Sequence, residues 1–90
     1  MESILIIDIP VQMISCTDTD GKITPIRFRF RDKSSEIITV AIDKIIKSEQ
    51  DKSVIGANYY CTAVIHGMQK NFVLRYNYAS HEWRLSRMSI

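Results

Sequence analysis

The chain has 90 residues, 46% hydrophobic and 24% charged, with a formal net charge of +2. This composition is typical of one compact globular domain over residues 1–90, and three glycines with two prolines are too few for a low-complexity segment. The apolar run from Ile4 to Ile7 is too short to cross a membrane and no basic residue precedes it. We therefore expect a cytoplasmic protein with neither an export signal nor a membrane partner.

Turn-forming residues recur at short intervals along the chain, which is typical of an antiparallel all-β meander. The first predicted strand covers residues 5–17. Pro10 within it marks an edge or a bulge, because proline cannot donate a backbone hydrogen bond to a neighbouring strand. Residues 1–9 are accordingly expected to be either frayed or an edge strand.

The second predicted strand, residues 23–31, has the cleanest alternation in the sequence. Apolar side chains alternate with arginines along it, with Ile26, Phe28 and Phe30 on one parity and Arg27, Arg29 and Arg31 on the other. Successive side chains of a strand point to opposite faces of the sheet. We therefore predict that one face lies in the core and that the arginine face meets water.

The third segment, residues 36–47, fits two structures. Its apolar residues match an amphipathic helix that begins after a cap at Ser34 and Ser35. Most residues of the segment are β-branched, however, and this favours a strand. A strand needs a bulge near Asp43 and Lys44 to keep its apolar side chains on one face, and such a bulge would bend it sharply. We predict a strand over residues 36–47, with a helix as the alternative.

The remaining segments complete a predicted set of six strands. Residues 48–57 are polar and are predicted to form the longest loop, and a fourth strand follows over residues 58–65. Within residues 71–88, apolar and polar side chains alternate on each side of a short turn at 79–81, which indicates a β-hairpin. With no helix to cover the sheet, we expect it to curl into a small, partly open barrel of the SH3-like or split type.

Five short motifs of this framework resemble a known family. They are Pro25-Ile-Arg-Phe-Arg-Phe, Val40-Ala-Ile-Asp-Lys-Ile, Tyr60-Cys-Thr-Ala, Phe72-Val-Leu-Arg-Tyr and Trp83-Arg-Leu. Over residues 25–88 their order is similar to that of small uncharacterised bacterial proteins of the SH3-like barrel type, some of which are encoded beside DNA-repair polymerase genes. The resemblance implies a fold and brings no catalytic residue. The chain departs from the family pattern at Phe30, where tryptophan is common, and over residues 1–20, which have no counterpart.

The arginine face is the strongest functional candidate. Guanidinium groups at alternate positions of a strand can bind successive phosphates of a nucleic-acid backbone. The predicted site consists of Arg27, Arg29, Arg31, Arg75 and Arg84, with Tyr59, His66 or His81 at its rim as stacking partners for bases. In the alternative interpretation the arginines only solvate the outer face of a barrel, and Asp32, Glu36 and Asp43 neutralise them.

Other chemistries have weaker support in the sequence. Cys61 with His66 and His81 lacks the remaining partners of a catalytic site, and Asp18-Thr-Asp-Gly21 lacks the further ligands of a calcium loop while matching a common hairpin turn. Cys16 and Cys61 lack the clustering of zinc or redox sites and are expected to be reduced. We predict no catalytic residue, no metal and no cofactor.

The aromatic side chains on alternating positions are predicted to pack in the core, with Trp83 the most costly to truncate. These patterns predict a noncatalytic binding module that binds nucleic acid through its arginine face. The alternative is a protein-interaction or assembly module that uses a strand edge or the 48–57 loop.

Overall fold

The computed structural model of the protein describes residues 4–51 and 55–89. It confirms an all-β, antiparallel fold, and the described residues contain no helix, hence none that is long and apolar enough to cross a membrane. The strands are β1 (Ile4–Thr17), β2 (Ile23–Arg31), β3 (Ile37–Ala41), β4 (Lys44–Asp51), β5 (Gly56–Ile65), β6 (Met68–Asn77) and β7 (Glu82–Ser89).

The strands lie in the order β3-β2-β1-β7-β6-β5-β4. They form two antiparallel sheets that share β1, which we name the three-stranded ladder and the five-stranded ladder. Residues 4–11 of β1 pair with β7 at one end of a five-stranded ladder. Residues 12–17 pair with β2 in a three-stranded ladder. Within the described ranges no ladder joins β3 to β4, so the sheet is not closed into a barrel.

Residues 36–47 form strands and not a helix. β3 pairs with β2, and β4 pairs with β5, so the chain passes from one ladder to the other between them. At the crossing, Ile42 N donates to Ile26 O over 3.0 Å and Asp43 N donates to Thr62 O over 2.9 Å. The sharp bend predicted near Asp43 thus divides the segment, so residues 4–51 and 55–89 contain seven strands where six were predicted.

The predicted loop over residues 48–57 is wrong. β4 continues to residue 51 and β5 begins at Gly56, with Ser48 opposite Tyr59 and Gln50 opposite Ala57. Residues 52–54 of the predicted loop lie outside the described residues. β4 is the last strand of its ladder and its side chains are largely exposed, so polar residues are compatible with an edge strand there.

β1 shows both of the roles predicted for Pro10. Residues 4–11 are hydrogen-bonded to β7 on one side only, so this half of β1 is an edge. The register shifts between Ile6 and Ile9, and Asp8 has a φ of 50°, which marks a bulge beside the proline. Residues 1–9 were predicted to be either frayed or an edge strand. Residues 4–9 form an edge strand, and residues 1–3 lie outside the described residues.

One residue of β2 breaks the predicted alternation. Ile26 is 47% exposed whereas Pro25 is buried, because the register against β1 shifts between Ile14 and Ser15. The shift leaves Ile26 as an extra residue in β2. Beyond the bulge the predicted alternation holds, with Phe28 buried and Phe30 half-buried.

The core lies between the inner faces of the two ladders. Phe28 of β2 meets Phe72 of β6 edge to face, with ring centroids 5.4 Å apart. Trp83 is buried against Tyr76 and Tyr59, at centroid distances of 4.7 and 5.4 Å. These burials confirm that Phe28, Phe72, Tyr76 and Trp83 lie in the core and that Phe30 packs against it, whereas Tyr78 lies beyond the end of β6 and is 38% exposed.

Candidate nucleic-acid interface

The outward face of β2 carries three exposed arginines, Arg27, Arg29 and Arg31, which we name the arginine row. Alternate residues of a strand lie about 6.7 Å apart, so the guanidinium groups form a regular series. Their cross-strand neighbours are all uncharged: Ile14 and Ala41 beside Arg27, Gln12 and Thr39 beside Arg29, and Ile37 beside Arg31. Nothing directly opposite the row on β1 or β3 neutralises it.

The arginine row keeps most of its hydrogen-bond donors available. Arg29 Nε donates to Gln12 Oε1, and Arg31 Nη1 donates to Ser35 O over 3.1 Å. Within the part of the chain that the structure describes, neither these two arginines nor Arg27 forms an ion pair with a carboxylate. Each guanidinium has five N–H donors, and carboxylates or phosphates can use them in pairs.

The acidic residues expected to neutralise the row have other roles or no ionic contact with it. Asp32 Oδ1 accepts hydrogen bonds from Ser34 Oγ at 2.8 Å and from Ser34 N and Glu36 N at 2.9 Å each. The hydrogen bond from Ser34 Oγ, followed by that from Glu36 N, lowers the pKa of Asp32. Asp32 therefore closes the β2–β3 turn, and the row stays positively charged.

An open groove of about 550 Å³ lies beside the arginine row. Its lining comes from β1, β2 and β3, and its ionisable side chains are those of Arg27 and Arg29. The rest of the lining is uncharged and comes from Gln12, Met13, Ile14, Phe28 and Thr39. The groove is thus cationic, which suits an anionic ligand that lies along the strand.

Arg75 and Arg84 lie on the other ladder. They are directly opposite each other on β6 and β7, and Pro10 of β1 is the next neighbour of Arg84. Arg84 is bound by Asp8, with Nε donating to Oδ1 and Nη2 donating to the Asp8 backbone O, each over 2.8 Å. The Arg84 hydrogen bond and then its charge lower the pKa of Asp8. The five predicted arginines therefore form two groups, and Arg84 already has an anionic partner.

The predicted stacking residues are mostly placed elsewhere. Tyr59 is buried and its hydroxyl donates to Ile23 O over 2.8 Å, so its ring cannot receive a base. His81 lies in the β6–β7 turn, where its Nδ1 is 2.9 Å from the Tyr76 hydroxyl. His66, in the β5–β6 turn, lines a shallow depression together with residues 36–39 at the start of β3. It is the member of the predicted trio that lies near the arginine row.

The residues considered for nucleophilic or metal chemistry have structural surroundings in the described part of the chain. Cys61 is 1% exposed, and burial raises the pKa of its thiol to about 12, so it is protonated at neutral pH. Asp18 Oδ1 accepts hydrogen bonds from Asp20 N and Lys22 N, each 2.9 Å long, which makes the segment a hairpin turn. Among the described residues no group of three or more metal-binding side chains comes together.

Sequence reasoning missed the uncharged flanks of the groove. Gln12, Ile14 and Thr39 come from strands that are distant from the arginines in sequence, and their register against β2 depends on a bulge. Alternation along β1 could have indicated the outward position of Gln12 and Ile14, since these residues alternate with half-buried Val11 and Met13.

Comparison of the chain with protein-family models, with curated proteins and with solved structures found no match. The resemblance to SH3-like barrel proteins therefore stays a prediction.

Proposed function

We propose that the protein is a noncatalytic binding module whose arginine row binds the phosphate backbone of nucleic acid. One observation carries the proposal: three exposed guanidinium groups lie side by side on β2, with uncharged cross-strand neighbours and no carboxylate partner in the described chain. A solvated barrel face usually intersperses charges of both signs. A face with one sign of charge beside an open groove favours an anionic partner.

The chemistry of this face favours contact with phosphates over contact with bases. The outward residues of the three-stranded ladder that border the row are aliphatic or small and polar, so they offer no ring on which a base can stack. Arginine can contact phosphate oxygens through two parallel hydrogen bonds whatever the base sequence. The proposed binding is therefore sequence-independent.

Salt dependence provides a quantitative expectation. Three neutralised phosphates give a slope of log K against log salt of about −2.7 for a duplex and about −2.1 for a single strand. Docking of an apolar protein partner would change little over the same salt range.

The test is fluorescence anisotropy with a labelled mixed-sequence single strand and a duplex over a series of salt concentrations. Arg29→Gln is expected to weaken binding to every sequence alike and to reduce the magnitude of the salt slope by about 1. Arg87→Gln is the matched control, because Arg87 is also exposed but lies on the five-stranded ladder. Equal effects of the two substitutions, or no binding at low salt, would contradict the proposal.

The proposed architecture is a partly open SH3-like barrel, and the proposed location is the cytoplasm. The sharp bend between β3 and β4 supports the barrel, since these two strands are the ends of the strand order and the bend holds them close together. Cys16 and Cys61 are free thiols, which suits a reducing compartment.

The second candidate function is docking of a protein partner at a strand edge. It is favoured by residues 4–11, which pair on one side only, and by Ile4, Leu5 and Ile6, which are 63%, 49% and 80% exposed. The 48–57 segment no longer supports it as a loop, because most of that segment belongs to β4 and β5.

A further inference from the structure

Among the described residues, the N-terminal half of β1 is an unprotected apolar edge. Residues 4–6 pair with β7 on one side, and the three-stranded ladder takes over β1 only from Gln12 onwards. Outward-facing Ile6 is 80% exposed, and Ile4 and Leu5 are 63% and 49% exposed. Unpaired N–H and C=O groups beside exposed aliphatic side chains are a template for another strand.

The opposite edge of the same ladder is protected in ways that β1 is not. β4 exposes Lys44, Lys47 and Glu49, and its register shifts between Ile45 and Lys47. Charges and bulges on an edge strand disfavour pairing with a second chain. Head-to-tail pairing of β1 with β4, which would build an open filament, is therefore disfavoured relative to pairing of β1 with its own copy.

No charge on residues 4–7 opposes pairing of this edge with its own copy. These four residues are uncharged, and the carboxylate of Asp8 is already bound by Arg84. Arg87 lies opposite Ile6 on β7. In a symmetric pair the two copies of Arg87 would be separated by three strand spacings, about 14 Å, which exceeds the screening length of about 8 Å at physiological salt.

The bulge also restricts the register. Asp8 has a positive φ and Pro10 lacks an N–H, so regular pairing along this edge ends at Ile7. In an antiparallel pair, opposite residues must lie on the same face of the sheet. Placing Leu5 on the two-fold axis satisfies this rule, because Ile4 then lies opposite Ile6 of the second copy and both point outward.

We propose that residues 4–6 of β1 pair antiparallel with the same residues of a second copy of this chain, which joins the two five-stranded ladders into one continuous sheet. The pairing is independent of the arginine row and of nucleic acid. Because three residues per copy bury a small area, the dimer is weak and forms with rising protein concentration.

The test is sedimentation equilibrium of the full chain from about 10 μM to about 1 mM. Ile6→Lys places two lysines diagonally across the proposed seam, about 7–8 Å apart, and is expected to weaken the dimer about tenfold or more. Ile14→Lys is the matched control, since Ile14 is an outward isoleucine of the same strand, 54% exposed, but lies in the half that pairs with β2. It should dimerise as the unmodified chain does. A chain that stays monomeric throughout, or equal weakening by both substitutions, overturns the proposal.

Amide hydrogen exchange on the unmodified chain supplies a second measurement that does not depend on how the variants fold. Amides of residues 4–6 that β7 leaves unpaired should become slower to exchange as protein concentration rises, while those of β4 should not change. Exchange throughout residues 4–6 that is independent of concentration contradicts the pairing.

Discussion

Truncation of Trp83 to alanine tests whether the inner faces of the two ladders are placed correctly. Trp83 is 7% exposed and packs against Tyr76 and Tyr59. Removal of its indole leaves a void between β7, β6 and β5 that the surrounding strands can fill only in part.

The expected loss follows from this environment. Truncation of a buried tryptophan costs about 3–5 kcal/mol in free energy of unfolding. Each lost aromatic contact contributes about 0.5–1.5 kcal/mol beyond area burial, and Trp83 has two such neighbours, which favours the upper half of that range. A loss of about 4 kcal/mol is a large part of the total stability of about 5–13 kcal/mol expected for a domain of this length.

Equilibrium unfolding in guanidinium chloride, followed by circular dichroism, measures the loss. With a denaturant slope of about 2 kcal/mol/M, Trp83→Ala should lower the midpoint by about 2 M. Tyr78→Ala is the control, because Tyr78 is an aromatic residue that is 38% exposed, and its truncation should cost about 1 kcal/mol or less. A Trp83→Ala protein with the midpoint of the unmodified chain would refute the assigned core.

Three further outcomes are expected. Gly56→Ala should destabilise the fold by about 1–3 kcal/mol in the same unfolding assay, because a Cβ there would overlap the backbone O of Tyr76; stabilisation would contradict the close approach of β5 and β6. The pKa of Asp8 is lowered, so its ion pair with Arg84 stabilises the fold above the unfolded pKa of about 3.9 and is lost as pH falls through the folded pKa. Asp8→Asn should therefore have a lower thermal midpoint than the unmodified chain near neutral pH, and the difference should shrink in acid. A difference that is constant with pH would contradict this assignment. A thiol reagent at neutral pH should modify Cys16 rapidly and Cys61 only after unfolding, since burial raises the pKa of the Cys61 thiol to about 12, and rapid modification of both would contradict that burial.

Local sequence patterns predicted the features that depend on neighbouring residues. The C-terminal hairpin and the arginine row follow from alternation within single strands. The bend near Asp43 could be predicted because one β-branched segment carries apolar residues on both parities. In each case the evidence lay within about ten residues, which is the range over which pleat and turn geometry act.

Features that depend on distant pairing could not be predicted in the same way. The polar residues of β4 suggested a loop, because an edge strand and a loop can have the same composition. Ile26 was placed inside because a bulge leaves no mark on an alternating sequence. Arg75 and Arg84 were joined to the arginine row because the division of β1 between two ladders appears only in the folded chain.

The two faces of β2 can be substituted independently of each other, and this matters for every functional test. Phe28 is 1% exposed on the inner face, whereas its neighbours Arg27 and Arg29 are exposed on the outer face. Substitution of exposed residues away from special features changes stability by about 0.5 kcal/mol or less. Arginine-to-glutamine variants therefore test binding without unfolding the core.

The most direct test of the proposed function is a two-dimensional NMR titration of isotope-labelled protein with a mixed-sequence single strand and then a duplex, at low and at high salt. Chemical shifts should change at Arg27, Arg29 and Arg31 and at the groove residues Gln12 and Thr39, and these changes should fade as salt rises. Shifts confined to the five-stranded ladder, or an unchanged spectrum at low salt, would contradict the central claim that this arginine row binds phosphate.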